Sequence, residues 1–226
     1  MNILLISDTH CQHKKLNQYL HDPDYIKDID LIIHAGDASN TKSTAINCNE
    51  LHDFLEWYSD LNIKNKIFVP GNHDTSWEAK MIKEFDYPDI EFLVHQDITI
   101  NNVKFFGSPY TPTFGTGWAY NRNRAKLFEY WEEIPKDTDI LITHGPPKGI
   151  LDLTYHSASM FESVGDKSLL NKVFNLNVSY HVFGHIHDEP NIINSGHRII
   201  NNTIFINATM TDLKYNLINE PIKIFI

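Results

Sequence analysis

Cysteine is nearly missing from this chain. Cys11 and Cys48 are the only two in 226 residues, they lie far apart, and they form no Cys-x-x-Cys spacing, which excludes a disulfide framework and a thiolate zinc site. A reducing, cytoplasmic setting is the expectation that follows. Long apolar runs are also lacking, since stretches such as Ile3 to Ile6 or Leu31 to Ile33 fall far short of the ~20 residues a membrane span requires. The opening Met1-Asn2-Ile3-Leu4-Leu5-Ile6 reaches Asp8 too soon, and without the basic lead, to read as a signal peptide. Position 2 is Asn rather than Gly, so N-myristoylation is not expected. Basic residues are in the minority, 19 Lys and Arg against 29 Asp and Glu for a formal charge of −10, so a long nucleic acid held on a broad basic surface is not expected. No repeat, low-complexity tract or Gly/Ser linker interrupts the chain, and a single domain over residues 1–226 is expected.

What the chain does contain is a recurring unit. Five short apolar runs each end, within a few residues, in a cluster of Asp, Asn or His. Ile3 to Ile6 precedes Ser7-Asp8-Thr9-His10, Leu31 to Ile33 precedes His34-Ala35-Gly36-Asp37, and Ile67 to Val69 precedes Gly71-Asn72-His73-Asp74. Ile140 to Ile142 precedes Thr143-His144-Gly145, and Val182-Phe183 precedes Gly184-His185-Ile186-His187. Short β-branched runs bounded by Gly or Pro read as buried strands.

Helical spacing appears between them at Leu51, Phe54, Leu55 and Tyr58, at Trp77, Met81, Ile82 and Phe85 with Thr75-Ser76-Trp77-Glu78 as a capping box, and at Leu169, Leu170, Val173 and Phe174. Strands alternating with helices predict an α/β fold with its polar groups at the carboxyl ends of the strands. Asn101-Asn102 and Asn201-Asn202 sit between apolar runs and suit the positive-φ positions of hairpin turns. The sheets should therefore be mixed rather than fully parallel, two of them packed face to face with helices outside.

Asp8-x-His10 and His185-x-His187 place two donors two residues apart, which on an extended backbone puts both on one face and lets each pair reach one metal ion. Imidazole nitrogens and carboxylate oxygens without thiolates suit Mn²⁺, Fe²⁺ or Zn²⁺ rather than Mg²⁺ or Ca²⁺. Asp37 is the best candidate for a shared ligand, because a carboxylate can hold two cations ~3.5 to 4 Å apart, the spacing that suits an in-line displacement at phosphorus. Gly36, Gly71 and Gly184 stand where strands turn sharply to present a ligand, and positive φ is the expected reason.

Read in order, Asp8-Thr9-His10, Gly36-Asp37, Gly71-Asn72-His73-Asp74, His144 and Gly184-His185-Ile186-His187 resemble the five motifs of the calcineurin-like metallophosphoesterase superfamily. The resemblance spans residues 8–187 and implies a four-layer αββα sandwich. Gly107-Ser108-Pro109-Tyr110, Trp118-Ala119-Tyr120-Asn121, Thr143-His144-Gly145-Pro146-Pro147 and His181 to His187 look like the metallophosphoesterase-domain branch, whose members act on phosphodiesters including cyclic nucleotides. It implies two divalent ions, Mn favoured: Asp8, His10, Asp37 and His187 on the first, Asp37, Asn72, His144 and His185 on the second. His73 would face the substrate, and attack would come from a hydroxide bridging the ions. Asn72 and His73 are adjacent and cannot both point the same way on an extended turn, which agrees with one ligating and the other serving the leaving group. Asp74 is expected either to orient His73 or to act as a helix-start carboxylate.

The stretch Gly107 to Asn121 carries Tyr110, Phe114, Trp118 and Tyr120 among Pro and Gly. Either these rings pack onto the sheet, or they form an aromatic wall that accepts a nucleobase. The remaining histidines, His13, His21, His34, His52, His95, His156, His181 and His197, match no motif and are assigned surface or structural roles, although the irregular stretch Leu151 to Ser163 around His156 could border the site. Arg122, Arg124 and Lys126, following the aromatic loop, read as a helix surface, with phosphate contact as the alternative.

The expected substrate is a small phosphate ester, a nucleotide being one candidate, with no membrane or long nucleic acid as partner and a two-fold dimer as the base-rate assembly. The competing readings are a phosphomonoesterase or protein phosphatase on the same fold, a non-catalytic scaffold, and a nuclease, the last disfavoured by the acidic charge.

Overall fold

The computed structural model describes residues 1–157 and 160–226. Two large sheets dominate it. The first runs in the order Ile222–Phe225, Asn2–Ile6, Leu31–His34, Asn65–Phe68, Glu91–Phe92, parallel throughout except for the antiparallel edge strand Ile222–Phe225. The second runs Gly196–Ile200, Thr203–Asn207, Tyr180–Phe183, Ile140–Thr143, Val103–Ser108, Gln96–Ile100, with a parallel centre and an antiparallel strand at each edge.

The period of two along each strand sorts the side chains into layers. Ile3, Leu5, Leu31, Ile33 and Ile67 of the first sheet pack against Phe105, Ile140, Ile142, Val182 and Ile206 of the second, forming the central core. Their neighbours Leu4, Ile6, Ile32 and Phe68 face the other way, onto Leu51, Phe54, Leu55 and Tyr58 of the helix Thr44–Ser59. Tyr58 is fully buried, and its hydroxyl donates to the carbonyls of Ile32 (3.0 Å) and Ile67 (2.9 Å), so the ring buries its area without orphaning its polar end. On the far side Phe106, Leu141, Phe183 and Phe205 pack against Leu127, Trp131, Leu169 and Val173 of the helices Leu127–Glu132 and Lys167–Phe174. Each of these side chains contributes about 1.5 to 3 kcal/mol on burial. The order helix, sheet, sheet, helix is the layered sandwich expected.

Both Asn pairs make the hairpins anticipated, with φ of 51° and 64° at Asn101 and Asn102 and 53° at Asn201. Three expectations are corrected. The helix drawn through Phe85 is a single turn, Thr75–Glu78, without a side-chain cap. Ser76 gives both its N–H and its hydroxyl to Asn47 Oδ1 (3.0 and 2.7 Å), Lys80 turns left-handed at φ 56°, and Met81 and Phe85 are left exposed. Leu153–Ser157 and Met160–Ser163 form a two-stranded antiparallel pair instead of an irregular stretch, and the side chain of His156 lies outside the described residues. Arg122 belongs to a two-residue strand rather than to a helix surface. Among the described residues, no helix is long and apolar enough to cross a membrane.

Candidate metal centre and active site

All five polar clusters meet at the carboxyl ends of the central strands, from both sheets. Main-chain hydrogen bonds fasten the loops to one another: Asp8 N–H to Gly36 O (2.8 Å), His10 N–H to Asp37 O (3.1 Å) and Gly184 N–H to His144 O (3.0 Å). The backbone here is not extended, which corrects the argument from strand pleating. Asp8, His10, Asp37 and His185 have φ of 53°, 40°, 59° and 70°, a conformation costly for residues with a Cβ and characteristic of functional turns. Of the three glycines, Gly36 alone has the positive φ expected (109°). Gly71 and Gly184 are required by space instead, since a Cβ would run into Asp37 at the first and into Asp8 and Ser7 at the second.

Two groups of donors result, Asp8 with His10 and His187, and Asp37 with His144 and His185, and a third, His10 with Asp37 and His73, overlaps them both. In the first, His10 Nε2 is 3.2 Å from His187 Nε2, which is 3.4 Å from Asp8 Oδ1. In the second, His144 Nε2 lies 2.9 Å from Asn72 Oδ1 and 3.2 Å from Asp37 Oδ2. Asp37 Oδ2 is also 4.0 Å from His10 Nε2, so one oxygen faces both groups, while Oδ1 is occupied by the His73 main-chain N–H (2.7 Å).

The donor chemistry fits cations. His144 and His187 each commit Nδ1–H to a main-chain carbonyl, Ala35 (2.9 Å) and Asp212 (3.0 Å). In the neutral tautomer this leaves both Nε2 lone pairs turned on other acceptors, an arrangement that a positive ion relieves. Electrostatics point the same way. Burial lowers the pKa of His144, yet the Asp37 carboxylate outweighs it and raises the group to about 9. Burial would raise Asp37, but His144 and His73 hold it well below the usual carboxylate range. His10 and His185 are pushed down to about 3, chiefly by burial.

His73 lines the same small cavity as Asn72. Its Nδ1–H donates to the Asn40 carbonyl (2.7 Å) and its Nε2 lies 3.9 Å from Asp37 Oδ2. The expectation that Asp74 orients His73 is not met. The buried Asp74 carboxylate accepts from the N–H groups of Gly71 (2.7 Å), Asp37 (3.1 Å) and Ser39 (3.0 Å) and from the Ser39 hydroxyl (2.7 Å), and thereby holds the ligand loops. Nor is it a side-chain cap of the turn that follows.

The aromatic stretch divides. Trp118 covers His73 with ring centres 4.3 Å apart, and Phe114 stands 5.1 Å from the His185 ring. Tyr110 and Tyr120 do not reach the site: Tyr120 is buried, and Tyr110 packs on Tyr130 (4.6 Å) beneath the Arg122 guanidinium (4.5 Å). Thr111–Pro112 pairs with Asn121–Arg122 at the base of the loop, so the segment between is held at both ends.

The family model for calcineurin-like phosphoesterases matches residues 1–189. The chain belongs to that family. A UPF0046 protein of Caenorhabditis elegans is 33% identical over all of this chain and 75% of its own length. The human metallophosphoesterase domain-containing protein 1 is 31% identical over 97% of this chain and 69% of its own. Solved structures similar in fold include the TT1561 protein of Thermus thermophilus (TM-score 0.61, 14% identity, 91% of this chain and 88% of that one). Another is the phosphopantetheinyl hydrolase of Mycobacterium tuberculosis (TM-score 0.55, 15% identity, 95% and 90%). The calcineurin-like phosphoesterases use divalent metals, and the two His/Asp groups here are able to bind them.

This calcineurin-like phosphoesterase also completes its site with residues beyond the matched segment. Tyr215, at φ 59°, lays its ring 4.2 Å from that of His10 and 5.7 Å from that of His187, and with Leu213 closes one side of the cavity. The carbonyls of Asn40 and Asp212 carry no sequence signal, because a main-chain acceptor can belong to any residue, and Tyr215 lies outside every motif.

Proposed function

We propose that the protein hydrolyses phosphodiesters at a pair of divalent ions, Mn²⁺ favoured, with the first held by Asp8, His10, Asp37 and His187 and the second by Asp37, Asn72, His144 and His185. The shared position of Asp37 Oδ2, 3.2 Å from His144 Nε2 and 4.0 Å from His10 Nε2, supports the two-ion arrangement. Bound ions supply positive charge against the phosphoryl oxygens and acidify water. The chain's own residues do the rest. Asn40 holds the His73 ring through Nδ1, so that a protonated Nε2 can hydrogen-bond the departing ester oxygen and give it a proton.

The observation that favours diesters is the composition of the cavity wall. Among the described residues that line it, Asp37, Asn72, His73, Phe114, Trp118, His185, His187, Leu213 and Tyr215, there is no Lys or Arg. A phosphomonoester dianion carries one more terminal oxygen and one more charge, which an Arg fork would satisfy, whereas a diester monoanion asks for less beyond the ions. The same wall gives a protein phosphatase no basic clamp, and the complete donor set speaks against a non-catalytic scaffold.

The test compares bis-p-nitrophenyl phosphate with p-nitrophenyl phosphate on Mn²⁺-loaded protein, alongside elemental analysis. Two ions per chain and a preference for the diester are expected. One ion or none in folded, reconstituted protein overturns the dinuclear arrangement, and a monoester preference overturns the diester assignment.

A further inference from the structure

The cavity at the donor groups measures about 190 Å³, below the ~300 to 1,000 Å³ usual for sites that enclose an organic ligand. It takes a phosphoryl group but does not enclose a whole organic ligand. A second cavity of about 340 Å³ adjoins it, walled by Pro112, Phe114, Pro146, Val164, His185 and Ile186. His185 and Phe114 line both. Apolar side chains dominate the larger wall, and its one charged member, Arg124, is already engaged: its guanidinium donates to the carbonyls of Gly165 (2.9 Å) and Val164 (3.0 Å) and lies 3.8 Å from Asp166. These contacts tie the half-exposed side chain to the wall. His73 and Trp118 line the small cavity and not the large one.

From this partition we infer that the larger chamber is the subsite for the retained substituent of the diester, and that the substituent it selects is an uncharged, flat ring. The inference rests on the phosphodiesterase reading above. The ester oxygen that leaves is the one on the His73 side. The substituent that stays on phosphorus passes His185 and lies between Phe114 on one wall and Pro146 and Ile186 on the other. Phe114 is 52% exposed, yet its main-chain N–H is held by Asn121 Oδ1 (3.3 Å) and its loop is paired at the base, so the ring is presented from a fixed support. A ring laid against it removes apolar surface of both partners from water. In the reaction the oxygen of water bonds to phosphorus, the P–O bond to the leaving group breaks, that oxygen departs with the electron pair and gains a proton, and the product is a phosphomonoester of the ring-bearing alcohol. A methyl substituent reaches none of this wall.

The experiment holds the leaving group constant and varies the retained group, comparing phenyl p-nitrophenyl phosphate with methyl p-nitrophenyl phosphate on Mn²⁺-loaded protein. We expect kcat/KM to favour the phenyl ester by about tenfold or more, equivalent to ~1.4 kcal/mol or more. Val164→Trp, which fills the chamber, should bring that ratio to within about threefold of unity, as each tenfold is ~1.4 kcal/mol. Phe114→Ala, at an exposed position that leaves the core intact, should move it the same way and serves if Val164→Trp does not fold. Wild-type protein that cleaves both esters equally well overturns the subsite and leaves the phosphodiesterase reading standing. A phenyl preference that survives unchanged in both folded variants places the ring elsewhere and also overturns it. Cleavage of neither diester overturns the phosphodiesterase reading, and the subsite with it.

Discussion

The Asp74 carboxylate accepts a hydrogen bond from the main-chain N–H of Asp37 at 3.1 Å, and so holds in its left-handed turn the residue whose own carboxylate faces both donor groups. The same Asp74 oxygen takes the Gly71 N–H and the other takes Ser39, so one buried side chain joins two ligand loops. Replacing Asp74 by Asn keeps its shape but turns an amide donor on groups that are themselves donors. The expected cost is about 3 kcal/mol or more, as for breaking one partner of a buried charged network. That corresponds to a fall in Tm of roughly 6 to 12 °C for a chain of this length. Calorimetry with and without Mn²⁺ checks it, and the metal-dependent part of the Tm should shrink as well.

On the proposed mechanism His73 acts on the leaving oxygen, and His73→Gln separates that role from simple binding. A p-nitrophenolate hardly needs a proton, whereas an alkoxide does, so the variant should lose at least tenfold more kcat on an alkyl-leaving diester than on bis-p-nitrophenyl phosphate. Equal losses on both substrates would assign His73 to electrostatic stabilisation alone.

Trp118 covers His73 and carries Lys42 on its outer face, 3.9 Å from the ring centre. If the ring shapes the leaving-group side, Trp118→Ala should raise KM for a cyclic nucleotide about tenfold, the scale of one stacked base at ~1 to 3 kcal/mol. The Tm should change little, because Trp118 is not part of the three packed cores. A large drop in Tm with equal damage to all substrates would make it structural.

His181 offers a pH test on a histidine outside the proposed donor set. It is fully buried, its Nε2 pairs with Thr143 Oγ1 at 2.8 Å, and burial pushes its pKa down from 6.5 to about 3. A histidine with a lowered folded pKa gives its full stability above pH ~6.5 and loses it as pH falls toward the folded value, at about 1.4 kcal/mol per unit. In chelator-treated protein, wild type should therefore lose roughly 2 to 3 kcal/mol more than His181→Gln between pH 6.5 and 4.5. Parallel pH profiles from urea unfolding would remove His181 from the acid response.

Much of the fold and of the donor set was legible because both obey short-range rules. Ile3 to Ile6 and Ile140 to Ile142 are apolar on both faces since each lies between two layers, and their ligands follow where parallel strands end. What stayed hidden depends on shape. The side-by-side reach of Asp8 and His10 comes from positive φ at both, not from strand pleating, and Gly71 and Gly184 are needed for room rather than for rotation. The helix expected through Phe85 stops because Asn47, far along the chain, takes the hydrogen-bonding groups of Ser76. Tyr110 and Tyr120 had the composition of a binding wall, and only tertiary packing separates them from Phe114 and Trp118.

The ligand loops belong to different sheets. Asp8, Asp37 and Asn72 follow strands of the first, while His144, His185 and His187 follow strands of the second. Contacts such as the His185 N–H to Asp8 (3.0 Å) and His144 Nε2 to Asp37 Oδ2 (3.2 Å) therefore cross the seam between the two central layers. An ion shared by Asp37 and His144, as proposed, would act there as a rivet against shear: sliding one sheet over the other would have to break coordination before it exposed any core. Chelation should then accelerate unfolding as well as stop turnover, and a half-assembled chain with its sheets not yet docked has no complete metal site to fill.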